Sequence, residues 1–146
     1  MGETDGKTLI VRSGAEFYAL NMMAVQEVVY HPDITFLPRC SGFITGMCLW
    51  QDKQVPVADL GLFLGSTQPA PTGDLVITVT AGNETGLLVE EIGPIVDIPL
   101  DSLISVDKNF IPDQEKVLQA FEHQGKLVFL IETRALIKQL PSDLNR

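Results

Sequence analysis

The apolar residues of this chain come in short runs, most of them broken within about seven residues by Gly, Pro, Asn or Ser, and the runs recur at a spacing near ten. Amphipathic helices need longer windows of 3.6-residue periodicity, so this punctuation commits the chain to many short strands. Thr8–Arg12 and Glu16–Leu20 flank Ser13-Gly14, a hairpin signal, and Asp74–Thr80 and Glu84–Val89 repeat the design around Ala81-Gly82-Asn83. Further strands are expected at Gly46–Trp50, Gln54–Val57, Ile95–Ile98, Val117–Phe121 and Lys126–Glu132. Their β-branched and aromatic residues suit a pleated, half-buried surface. Regular short strands with turn residues between them predict an all-β fold of small barrels, with short helices.

Three helices are expected. Asn21 is placed to cap one through Met22, Met23, Val25 and Gln26; Asp59 caps Leu60–Leu64, which Gly65 ends; Thr133 caps Arg134–Leu140, which Pro141 stops. Gln68–Pro71 is the best linker and lies near the midpoint of the chain. That position invites a search for duplication. Lys53, Val55, Val57, Asp59, Phe63 and Leu64 align with Lys126, Val128, Leu130, Glu132, Leu136 and Ile137 at an offset of 73. Upstream, Glu16, Leu20 and Val28 align with Glu84, Leu88 and Val96 at an offset of 68. The reading is two similar half-barrels, neither able to bury its apolar face alone, packed around one shared core. They form a single domain over residues 1–146, with subdomain 1 at about 14–68 and subdomain 2 from about 8–13 plus 69–146.

Composition narrows function mainly by exclusion. Ten Lys and Arg against 19 Asp and Glu leave a net charge of −9, a field that repels nucleic acid. The run Leu127–Ile131 is far too short for a membrane span, so no membrane insertion is expected. Cys40 and Cys48 are too few for a disulfide framework and match no zinc spacing; with no signal peptide they read as reduced thiols of a cytoplasmic protein. His31 and His123 both read as loop residues, and neither has a metal-spaced companion. No serine sits in a nucleophile elbow, and Gly82-Asn83-Glu84-Thr85-Gly86 reads as a turn rather than a phosphate cradle. Glu90 and Glu91 are adjacent in an extended segment, so they point to opposite faces and cannot converge on one substrate. No catalytic residue, metal ligand or cofactor site is expected. The remaining business for such a domain is recognition.

Six segments in order carry a resemblance. They are Glu16–Asn21, Val25-Gln26-Glu27-Val28, Ile34-Thr35-Phe36-Leu37-Pro38, Gly42–Met47, Val55–Leu60 and Gly86–Ile92. Together the chain resembles the CheW family of bacterial chemotaxis coupling proteins over about its whole length. The resemblance implies two five-stranded, SH3-like β-barrels packed against each other. It implies a non-catalytic adaptor that joins the cytoplasmic tip of a methyl-accepting chemoreceptor to the regulatory domain of a CheA-type histidine kinase. Kinase contact maps onto Val25, Glu27 and Gly46 on the first barrel, and the receptor tip onto a groove between the barrels. An apolar side chain beside an acid has the composition of a modest protein interface, and a helical tip in an apolar groove is a recurrent recognition mode.

The chain departs from the family at one loop. Where the family usually carries Asn-Leu-Arg-Gly, this sequence has Leu49-Trp50-Gln51-Asp52. Gln51 cannot replace the charge or the bidentate donor fork of an arginine. Trp50 brings a residue type enriched in binding hot spots, or alternatively fills the first barrel's core. Val25, Glu27, Gly46, Trp50 and Gln51 are therefore the expected partner-binding residues, with an altered contact loop at Leu49–Asp52. Two other readings stay open. One is an adaptor of the same build in another pathway, such as twitching motility. The other is a small-molecule-binding β-barrel or enzyme with the inter-barrel groove as its pocket, for which Glu27, Asp59, Gln51 and His31 are the nearby polar candidates.

Overall fold

A computed structural model describes residues 6–37, 43–65, 73–80, 82–105 and 117–132. Their backbone runs through β1 (Lys7–Ser13), β2 (Glu16–Asn21), β3 (Val25–Val29), β4 (Ile34–Phe36), β5 (Ile44–Trp50), β6 (Lys53–Asp59), β7 (Asp74–Thr80), β8 (Asn83–Val89), β9 (Glu91–Asp97), β10 (Ile104–Ser105), β11 (Val117–His123) and β12 (Lys126–Ile131). A one-turn helix, α1 (Leu60–Phe63), follows β6, and the buried Asp59 caps it by accepting from the Leu62 N–H at 3.2 Å. Asn21 also caps, accepting from the Met23 N–H, but the helix it starts is a single 3-10 turn, Met22–Ala24. Val25 and Gln26 already belong to β3, so the longer helix expected there is replaced by a strand. β4 and β10 were missed as well, because three and two residues carry too little periodicity to announce themselves. Cys40, the linker at Gln68–Pro71 and the segment from Thr133 to Leu140 lie outside the described residues.

The strands make two sheets, each of six rather than five strands and neither closed by backbone pairing. Sheet I has the order β10-β11-β12-β2-β1-β9, and sheet II the order β4-β5-β6-β8-β7-β3. Adding six to each strand number of sheet II, or subtracting six where the sum exceeds twelve, reproduces sheet I. The duplication is therefore topological, with the leading hairpins exchanged: β1–β2 joins β9–β12, while β7–β8 joins β3–β6. Register makes the match residue by residue. Cys48↔Val55 and Trp50↔Lys53 correspond to Phe121↔Val128 and His123↔Lys126 at the offset of 73. Even the bulge is repeated, between Ile44 and Gly46 in one copy and between Val117 and Gln119 in the other. The upstream alignment needs correction. Leu9↔Leu20 corresponds to Val76↔Leu87, so the offset there is 67 and not 68. Slipping a strand by one residue moves every side chain to the other face, and similar apolar strings hide the slip from sequence alone.

Three apolar clusters explain the run lengths. Cys48, Trp50, Val55, Val57, Leu75, Ile77 and Leu88 all belong to sheet II and fill its curl. Ile10, Ala19, Phe121 and Val128 do the same for sheet I. Between the sheets lies a larger core to which both contribute, including Leu9, Tyr18 and Phe129 from sheet I and Phe43, Phe63 and Val76 from the other half. Phe43 and Phe63 meet edge to face with centroids 4.9 Å apart. Alternate residues of one strand thus enter different cores, as Val128 and Phe129 do. Strands buried on both faces read as unbroken apolar runs, which is why Val128-Phe129-Leu130-Ile131 shows no alternation. Burial on one side also pushes the Tyr18 phenol up to about 12, with the Glu16 charge adding to the desolvation.

Candidate functional site

The residues singled out from sequence all belong to sheet II, on β3, β5 and the turn between β5 and β6, and a hydrogen bond brings two of them, Glu27 and Trp50, together. Gln51 and Asp52 form that turn, with φ of 49° and 62°, between the paired Trp50 and Lys53. Left-handed backbone at both central residues defines the hairpin turn that matches strand twist, and both side chains stand in solvent. The second copy builds the same turn from Gln124 (φ 52°) and Gly125 (φ 78°).

Trp50 points the other way. Its ring is 7% exposed and packs in the sheet II core. Its indole N–H donates to the Glu27 carboxylate at 2.7 Å. Strand β3 ends the sheet on one side and β5 is next to the end on the other, so this bond crosses the gap that backbone pairing leaves open. A hydrogen bond to an ionised acceptor is shorter and stronger than a neutral one, which suits a contact holding a curled sheet shut. Lys53 sits 5.6 Å from the Trp50 ring centroid and pairs with Glu84 at 2.7 Å. The matching residue of the second copy, Lys126, lies 5.2 Å over the Phe17 ring.

Val25 and Glu27 are brought close but not side by side. A bulge separates them, since Val25 opposes Thr78 and Glu27 opposes the very next residue back, Ile77. Val25 is half-buried against the core between the sheets, while Glu27 turns toward Trp50. Val25 therefore offers only part of its apolar side chain to the surface, beside the exposed Glu27. Gly46 lies further along β5 and is buried. A Cβ there would stand 2.3 Å from the Thr35 carbonyl oxygen and 3.1 Å from Phe36 Cα, so a hydrogen is all the backbone of β4 allows.

Other candidates resolve into local structure. Glu90 accepts from the Gly14 N–H, and Arg12 reaches Glu91 at 3.1 Å and Glu90 at 3.8 Å. The two acids thus converge on one arginine, contrary to the opposite faces expected of an extended segment, because Glu90 sits in a bend between β8 and β9; both serve the β1–β2 hairpin. The His31 N–H donates to Asp74 at 3.2 Å, and His123 ends β11, half-buried, at the position matching Trp50. Burial raises the Cys48 thiol above its ordinary value. Among the described residues no group of three or more His, Cys, Asp or Glu comes together, and no helix is long and apolar enough to cross a membrane.

What the sequence did not reveal is a cleft of about 260 Å³ beside this cluster, walled by Val29, Pro32, Asp33, Cys48, Trp50 and Ile77 among others. Leu49, 66% exposed, stands on its edge. The cleft opens because β4 stops pairing at Ile34↔Cys48, leaving the end of β5 uncovered.

Comparison with known proteins agrees over most of the chain. A family model described as the CheW-like domain matches residues 7–140. A probable chemotaxis protein CheW of Rhizobium etli is 24% identical over 147 residues, covering 98% of this chain and 94% of that protein. Protein PilI of Pseudomonas aeruginosa is 29% identical over 114 residues, covering 77% of this chain and 62% of PilI. Among solved structures, the scaffolding protein TtCheW of Thermoanaerobacter tengcongensis superposes with a TM-score of 0.73 at 25% identity, over 88% of this chain and 89% of that one.

Proposed function

The chain belongs to the CheW-like domain family, and from that premise we propose that it is a non-catalytic adaptor of a chemotaxis-type pathway, coupling methyl-accepting receptors to a CheA-type histidine kinase. The observation that carries this reading is the family match over residues 7–140 on a doubled two-sheet fold like that of a scaffolding protein. The physics suits the role. A scaffold must hold its binding faces together, and the core shared between sheets I and II packs the two halves against each other. Kinase contact is assigned to sheet II, at Val25, Glu27, Gly46, Trp50 and Gln51, and the receptor tip to the groove between the halves. In this reading the protein works in the cytoplasm and needs no cofactor. Trp50 and Gly46 act there by shaping the surface, since one is mostly buried and the other has no side chain. Leu49, Gln51 and Asp52 are the exposed members of the altered loop.

Titration with the regulatory domain of the cognate kinase tests the reading, with wild type and Gln51→Arg compared side by side. Saturable binding of the wild type supports the adaptor, and a changed affinity in Gln51→Arg supports the altered loop. Equal affinities would remove the loop from the account, and no binding of either protein to kinase or receptor tip would refute the adaptor itself. A second reading, an adaptor of the same build in a different pathway such as twitching motility, draws on the 29% identity to a protein named PilI rather than CheW. Binding assays against kinases of both pathways from the same organism separate the two.

A further inference from the structure

The two copies of the repeat differ at the cleft. Cys48 of sheet II stands where sheet I has Phe121, by the register of β5–β6 against β11–β12. Phe121 is 1% exposed and fills the core of its own sheet with Ile10, Ala19 and Val128. In sheet II the small Cys48 side chain takes that position, and the cleft opens beside it against Val29, Trp50 and Ile77. One copy therefore places a phenylalanine ring where the other has a smaller thiol side chain with a cleft beside it, walled by residues that are themselves largely buried.

Charge on the rim selects the occupant. Asp33 lines the cleft and is exposed. Glu27 is bonded to the indole N–H of Trp50, a wall of the cleft, and Asp74 holds the backbone of His31, the residue before the cleft residue Pro32. Among the described residues, the cation over the Trp50 wall, Lys53, is answered by Glu84 at 2.7 Å. Among the described residues the sign left over is negative, as for the whole chain. We propose that this cleft is an anchor pocket for an aromatic side chain of a protein partner that carries a positive charge next to the ring. The proposal rests on the adaptor reading only in taking the occupant from a protein; the pocket's chemistry stands on the comparison of the two copies. A single buried ring in a desolvated pocket is the pattern of an interface hot spot.

Phenylalaninamide, an aromatic ring beside a cation, is the probe. Trp50 is the sole tryptophan of the chain and a wall of the cleft, so its emission reports occupancy. We expect a saturable change with a Kd on the order of millimolar, the range for so small a ligand. Asp33→Asn should weaken it several-fold, the anionic N-acetylphenylalaninate should bind more weakly than the amide, and Cys48→Phe, which restores the ring of the other copy, should abolish the response. A linear, unsaturable response, or one unchanged in a folded Cys48→Phe variant, overturns the pocket. Equal affinity for the amide and the anion overturns the charge assignment, and this arm decides even if Cys48→Phe fails to fold. With the kinase regulatory domain as titrant, Cys48→Phe should weaken binding at least tenfold. Undiminished binding would overturn the cleft as that partner's anchor, whereas a wild type that binds phenylalaninamide but no kinase domain would refute the coupling reading and leave the pocket standing.

Discussion

Exchanging one residue between the two copies of the β-turn should move stability in opposite directions. Asp52 and Gly125 occupy the same place in matching hairpins, with φ of 62° and 78°. Left-handed backbone costs a generic L-residue about 1–2 kcal/mol, and Asp lies at the low end of that range because its short polar side chain tolerates the region. Glycine escapes the cost but brings back about 0.5 kcal/mol through its greater freedom in the unfolded chain. Asp52→Gly should therefore stabilise by about 0.5 kcal/mol, which for a chain of this size is a rise in Tm of about 1–2 °C. Gly125→Asp should destabilise by a similar amount. A Cβ at Gly125 meets no atom within 4 Å, so that variant tests backbone conformation without a clash. Asp52 is exposed, so its removal strips little packing. Urea unfolding followed by far-UV circular dichroism measures both, with the slope expected to stay constant while the midpoint moves. Shifts of the same sign in the two variants, or a neutral Gly125→Asp, would refute the claim that left-handed strain in the first turn limits stability.

Other outcomes follow from single contacts. Glu27→Ala leaves the Trp50 indole N–H without its acceptor and should cost about 1–3 kcal/mol, with a change in tryptophan emission, while Glu27→Gln should recover most of the loss; thermal melts and fluorescence check both. Gly46→Ala drives a methyl into the backbone of β4 and should cost about 1–3 kcal/mol, and hydrogen exchange should show Thr35 and Phe36 losing protection first. The folded state holds the Tyr18 phenol at about 12, above its ordinary value of 10.0, so it binds the proton more tightly than the unfolded chain does. The stability this contributes is complete below pH 10 and is lost as pH rises through about 12. Denaturation midpoints measured across that window should fall more steeply for wild type than for Tyr18→Phe.

Much of the design is legible in the residues alone, for a physical reason. Local turn chemistry and β-branched runs announce the hairpins at Ser13-Gly14 and Gly82-Asn83, and an offset of 73 survives down to the bulges because register follows from where the turn sits. The caps at Asn21 and Asp59 are likewise local, each a side chain reaching two or three residues ahead. Family segments that identify the chain are strings of this kind. The short edge strands β4 and β10 escaped notice, since a three-residue strand such as β4 exists only because β5 lies beside it.

Tertiary structure decided everything that depends on which face a side chain takes. Sequence leaves Trp50 divided between core and contact; the fold turns its ring inward and sets its N–H on Glu27, twenty-three residues away. The bulge in β3 sends Val25 to the shared core and Glu27 to the rim, a choice that no alternation of residues foretells. The exchange of the β1–β2 and β7–β8 hairpins, and the cleft where Cys48 replaces a phenylalanine, arise from partners brought together across long stretches of chain. Composition and spacing act over a few neighbours and set which elements form. Their pairing, and the surface they leave open, is settled only when distant apolar faces compete for the same water-free space.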